Sequence, residues 1–167
     1  MRQDAATGAG AWVAVLGGAQ LGLLAVAEMG GNLARLAHIP DPGRDLLAVA
    51  AVLFDGLDVV ALDVPGSAAP SRSRAVLARI RSHDAVLITT QPGWARPDLQ
   101  MHCDNAGYGG LGRGRGRLRS MTYDIRISGR GAHRPRTTRV RLAAGQGGSC
   151  WTHHAPALSA TSISRTG

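Results

Sequence analysis

Four short apolar runs, each closed by glycine, proline or a polar residue, organise the first part of the chain. Residues 12–16, Trp-Val-Ala-Val-Leu, are continuously apolar and stop at Gly17-Gly18, the pattern of a strand buried on both faces. Residues 21–29 read as a helix ended by Gly30-Gly31. Residues 33–39 read as a second strand, stopped by the turn sequence Pro40-Asp41-Pro42-Gly43. Asp45 is placed to cap a helix reaching about Phe54, in which Leu46, Val49, Ala50 and Leu53 recur at helical spacing. Residues 57–62 form a third strand with Asp63 at its carboxyl end, and residues 71–82 a helix with Arg72 and Arg79 outward. Residues 85–90 are the fourth strand, ending at Gln91-Pro92-Gly93. Strands alternating with helices predict βαβ units, hence an α/β fold whose parallel sheet has right-handed crossovers and helices on both faces.

After Gly93 no helical period is evident. Residues 99–103, 121–128 and 137–142 read as strands between Gly- and Arg-rich turns. From Met121 to Ile127 apolar and polar residues alternate, so one face of that strand is dry and the other wet. The expectation is an antiparallel extension on the edge of the parallel sheet. The chain then divides into an N-terminal extension (1–10), an α/β core (11–93), an antiparallel extension (94–144) and a Gly/Ser/Thr/Ala tail (145–167) expected to be mobile.

Charge sharpens this division. The net charge of +8 is concentrated in residues 113–141, which hold ten arginines against Asp124 alone. All 19 basic residues are arginine, and there is no lysine. Such an excess attracts a polyanion or an acidic protein surface. The candidates for that contact are Arg113, Arg115, Arg117, Arg119, Arg126, Arg130, Arg134 and Arg136. Within residues 109–119, alternating Gly and Arg lets several guanidiniums approach one phosphate backbone without crowding. The same residues also suit a flexible hairpin whose arginines stay in water. Tyr108 and Tyr123 are the aromatics nearby, too few to read a base sequence by stacking.

Other chemistry is sparse. Cys103 and Cys150 make neither a disulfide framework nor a zinc spacing, which fits a reducing cytoplasm. His102 and Cys103 are adjacent on a strand and point to opposite faces, so no metal site is expected. The apolar run 11–27 is interrupted by Gly17-Gly18 and Gln20 and is too short to span a bilayer, so no membrane association is expected.

The order of strand 12–16, helix, the Gly30…Leu36…Pro40-Asp41-x-Gly43 stretch, helix and a strand ending in Asp63 is similar to the middle of RecA recombinases. It resembles most the RecA-like accessory proteins of the actinobacterial inducible mutagenesis cassette (ImuA type), through Ile-Pro-Asp-Pro-Gly at 39–43 and Gly-Leu-Gly-x-Gly-x-Gly-Arg-Leu-Arg at 110–119. The resemblance covers about residues 11–143. It implies a RecA-like parallel sheet, with Asp63 at the Walker B position and Gln91 at the nucleotide-sensing glutamine. It also puts Ala19 where the catalytic glutamate falls. No phosphate-binding loop is present and no lysine is available to serve one, so ATP hydrolysis by this chain alone is not expected. No cofactor is expected, ATP and Mg²⁺ entering only with a P-loop segment upstream of Met1. Loss of that segment is expected to leave unpaired backbone on both neighbouring strands, either because the chain is a fragment or because the gap closes across a homo-oligomer. What the resemblance implies for function is a non-catalytic accessory role in damage-induced translesion synthesis. The implied partners are a polymerase-like adaptor, an error-prone polymerase and DNA. Two other readings stand beside it: a fragment of a RecA-type ATP-dependent repair protein, and a simple basic nucleic-acid-binding module.

Overall fold

A computed structural model describes residues 6–63, 70–90, 97–112, 116–130, 134–145 and 148–153. It divides into two compact units, Met1–Pro97 with Gln146–Ser149, and Asp98–Gly145 with Cys150–Gly167. The first is a parallel α/β unit and the second an antiparallel sheet.

In the first unit, β1 (Val13–Gly17), β2 (Leu36–Ile39), β3 (Val59–Asp63) and β4 (Val86–Thr89) form one parallel sheet in the order β2-β1-β3-β4. The helices between them are α1 (Leu23–Glu28), α2 (Leu46–Leu53) and α3 (Pro70–Ser82). Two sequence expectations shift here. Residues 33–35, expected as strand, form a single 3-10 turn capped by the Asn32 side chain, so β2 starts only at Leu36. The gap expected on both sides of a missing strand is also not there. β1 is paired on both edges, by β2 and β3, and β3 is paired by β1 and β4. The outer edges are those of β2 and β4, so four strands close a contiguous ladder by themselves.

The register explains where the core lies. Ala14, Val60 and Leu87 stand at one level, and Leu16 and Leu62 two residues further, all on one face of the pleat. Against that face pack Ala50 and Phe54 of α2 and its C-cap, and Val76 and Ile80 of α3. Phe54 is 1% exposed and Leu16, Ala50 and Val60 are fully enclosed. The leucine, valine, isoleucine and phenylalanine side chains among them each contribute about 1.5–3 kcal/mol by leaving water. Asp45 caps α2 as its position predicts, its side chain accepting from the Ala48 amide. A bidentate Arg79–Asp55 pair fastens α3 to the residue that follows the C-cap of α2. The strand at residues 12–16 is expected from its sequence to be buried on both faces, whereas Val13 and Val15, on the face away from the core, are only half-buried. Val86 and Ile88 there are 51% and 53% exposed, and α1, which right-handed crossover puts on that side, is only six residues long and buries none of them.

The second unit has the order β5-β6-β7-β8, with β5 Gln100–Leu111, β6 Gly116–Ser128, β7 Arg136–Gly145 and β8 Gly148–His153. It forms its own sheet rather than extending the parallel one. Neighbouring strands in an antiparallel ladder satisfy each other, so this sheet needs no edge of the first. Part of the stretch expected as a mobile tail is strand, because β8 is held in the ladder beside β7. Likewise residues 109–111 and 116–119 of the Gly/Arg segment belong to β5 and β6. Gly109 is required there, because a Cβ at that position would collide with Ser120 Oγ. Every buried hydrophobic residue among those described lies in the first unit.

Candidate functional site

The sheet order reverses between β1 and β3, since β1 leads outward to β2 and the chain then returns across β1. In open parallel sheets ligands bind at such a switch point, outside the carboxyl ends of the strands. Gly17 and Gly18 end β1 with φ of +80° and +60°, backbone that other residues rarely adopt. The Gly18 amide donates to the Asp63 carbonyl at 2.9 Å, tying the two strand ends together. His38, at the middle of β2, reaches the Gly17 and Gly18 carbonyls with Nε2 at 3.0 and 3.1 Å. Two acceptors at one ring nitrogen put the imidazole proton on Nε2. Asp63 is exposed, and its Oδ1 accepts from Thr90 Oγ1 at 2.7 Å.

Among the described residues these groups form no cradle for a nucleotide with Mg²⁺. A phosphate cradle turns several backbone N–H groups toward the ligand. Here the Gly18 N–H is bound to the Asp63 carbonyl, and the loop carbonyls turn toward His38. Asp63 offers one carboxylate already engaged by Thr90. Among the described residues no three His, Cys, Asp or Glu side chains gather to hold a metal. Ala19 has no group to orient a water, and Gln91 lies outside the described residues.

The arginines are arranged differently. Arg117, Arg119 and Arg126 are on β6, Arg136 opens β7, and Arg130 and Arg134 flank the connection between them. Arg113 and Arg115 lie outside the described residues. Arg130 pairs with Asp98 at 3.0 Å, whereas Arg117, Arg119, Arg126, Arg134 and Arg136 are exposed and make no ion pair among the described residues. The second unit carries eleven arginines against three aspartates, a net of +8, while the first holds eight of each sign.

Two further arginines sit on β7, where the alternation Arg139-Val140-Arg141-Leu142 was the available signal. Arg141 Nη2 donates to Ser120 Oγ at 2.7 Å. Arg139 lies directly opposite Asp124 across the ladder and binds it with two parallel bonds of 2.6 Å. The hydrogen bonds from Arg139, aided by its charge and opposed by partial desolvation, hold the Asp124 carboxyl below the usual carboxylate range. A depressed folded-state value means the pair stabilises the sheet above the ordinary carboxylate range, and that this contribution is lost as pH falls through the lowered value. Arg139→Gln is expected to return the Asp124 titration to the ordinary range, read by carboxyl NMR. An unmoved titration would show that the pair is not held in solution.

The ladder also brings in an aromatic group that sequence reading missed. Trp151 on β8 stands with its ring 5.8 Å from that of Tyr123, tilted by 51°. Residues 148–153 have no apolar run, so nothing local announces this strand.

Residues 3–96 match the MT3502 N-terminal domain family. The chain is also 44% identical over 103 residues to the uncharacterized protein Rv3395c of Mycobacterium tuberculosis, covering 61% of this chain and 50% of the relative. It thus spans about half the length of the curated relative it matches. No helix among the described residues is long and apolar enough to cross a membrane. Since the matched segment takes in the whole β2-β1-β3-β4 sheet and more than half of the sequence, the chain belongs to the MT3502 N-terminal domain family.

Proposed function

We propose that this protein is a non-catalytic, cytoplasmic accessory factor of damage-induced mutagenesis, acting by binding. Its partners are a polymerase-like adaptor, through it an error-prone polymerase, and DNA. The observation that carries the binding part is the segregation of charge: the first unit is neutral overall, and the excess of +8 belongs to the second, in which five exposed arginines make no ion pair among the described residues. A polyanion gains most from guanidiniums that no carboxylate already neutralises. Support for the mutagenesis setting is the resemblance of residues 11–143 to the RecA-like accessory proteins. The strand-end crevice, with Asp63 and His38 spent on internal hydrogen bonds, supports a role without nucleotide hydrolysis.

Co-expression with the polymerase-like adaptor of the same genome tests the setting. The tagged chain is expected to retain the adaptor through washing at physiological salt, and deletion of its gene to lower ultraviolet-induced mutation about as far as deletion of the adaptor does. Normal induced mutagenesis in the deletion strain would overturn the proposal.

A further inference from the structure

One face of the antiparallel sheet is largely apolar, and none of its described hydrophobic side chains is fully buried. Opposed residues share a face, so the register assembles it. Tyr123 lies between Asn105 and Val140, and Tyr108 opposite Met121. Ile125 and Ile127 continue the same face along β6. Tyr108 is 61% exposed, Tyr123 and Trp151 are half-buried, and the Tyr123 hydroxyl donates to Met121 Sδ at 3.3 Å. None of these side chains is among the buried hydrophobic residues. The face thus presents three aromatic rings, Tyr123 being held both by its own hydroxyl contact to Met121 Sδ and by packing against Trp151.

Arginine bounds this face at both ends. Arg136 is opposite Ile127 at one end, and Arg117 and Arg119 stand on β6 beyond Met121 at the other. The opposite face holds the polar groups that are already engaged, Asp124 with Arg139 and Ser120 with Arg141. Three of the exposed arginines without an ion pair among the described residues, Arg117, Arg119 and Arg136, therefore flank the aromatic strip, while Arg126 stands on the opposite face.

We infer that the aromatic face of β5–β8 is a platform for single-stranded nucleic acid, with bases stacking on Tyr108, Tyr123 and Trp151 and phosphates meeting Arg117, Arg119 and Arg136. This rests on the polyanion-binding reading above and names its ligand. Charge selects the occupant: a second copy of this unit would bring another net charge of +8 against the first, whereas a nucleic-acid strand supplies both the π-faces and the countercharge. A paired duplex hides its base faces in the stack and has nothing to offer the three rings.

The test is binding of the full chain, by fluorescence anisotropy, to labelled oligothymidine of about a dozen nucleotides. An abasic oligomer of equal length and charge is the comparison. The expected result is preference for oligothymidine, with Tyr108→Ala and Trp151→Ala each lowering its affinity about tenfold and leaving abasic binding unchanged. Tyr108 is exposed, so its variant keeps the fold, and circular dichroism verifies both. Equal affinity for the two oligomers in the parent chain would overturn the platform while leaving the arginine contacts standing. Loss of all oligomer binding at low salt would sink the polyanion reading itself. Sedimentation as a dimer that Tyr108→Ala dissolves, with no base preference, would give this face to a second copy and overturn the inference.

Discussion

Replacing Phe54 with alanine lowers the melting temperature of the α/β unit by more than about 15 °C. Phe54 is the largest fully enclosed side chain, 1% exposed, and it closes the core between α2, α3 and the β1/β3 face. Truncating a buried phenylalanine costs about 3–5 kcal/mol, because transfer energy is lost and the cavity collapses only in part. This core has few alternatives to fall back on. Phe54 is the one phenylalanine in the sequence, and its neighbours are Leu16, Val60, Leu62, Val76 and Ile80, which cannot reach across the space a ring leaves. Val52→Ala serves as the control, since that side chain on the same helix is 68% exposed and its loss should move the melt by a degree or two. Far-ultraviolet circular dichroism against temperature reads both. Equal shifts in the two variants would mean that α2 does not pack on the sheet through Phe54.

The second large effect is on salt dependence. Each phosphate neutralised by an arginine releases condensed counterions, giving about 0.7–0.9 of a unit in the log–log slope of affinity against salt. Arginines already paired with a carboxylate release less, so the structure separates Arg117, Arg119, Arg126 and Arg136 from Arg130 and Arg139, which are held by Asp98 and Asp124. Replacing those four unpaired residues with serine is expected to flatten the slope by about 3 units and to weaken binding to all sequences alike. All four are exposed, so the unit keeps its ladder. Titrations of labelled single- and double-stranded DNA at three salt concentrations provide the slope. A variant with the parent slope would remove these arginines from any nucleic-acid contact.

Much of the α/β unit could be read from the chain, and the reasons are local. Val13 to Leu16, Val59 to Leu62 and Val86 to Thr89 are apolar runs bounded by Gly17-Gly18, Asp63 and Gln91, and a run with such punctuation has little choice but a parallel strand. Asp45 was legible because a cap acts on the next turn, within three residues. What escaped reading depends on distant partners. Residues 33–35 are the exception, since a local contact turns them: the Asn32 side chain accepts from the Ala34 amide two residues on. Apart from Trp151, β8 is made of small and polar residues with no apolar alternation, and its place beside β7 makes it a strand. Exposure of Val86 and Ile88 was invisible for a similar reason, since periodicity says which residues share a face and not whether a helix arrives to cover it. At the candidate sites, Asp63 could be placed at a strand end from sequence. That Thr90 and the Gly18 amide occupy its two ends needed coordinates.

The two sheets differ in when their partners exist. β1 needs β3, whose pairing residues come more than forty positions later, as the register Val13 with Val59 shows. β2 is made first and pairs one edge of β1, but nothing on the amino-terminal side of β3 fills the other edge, so a ribosome must release most of the α/β unit before the ladder is complete. Long loops must close first, at an entropic cost repaid only at the end. The antiparallel strands each pair with the one just made, β6 folding back on β5 and β7 on β6. That sheet zips in the order of synthesis, and it can be in place almost as soon as His153 emerges.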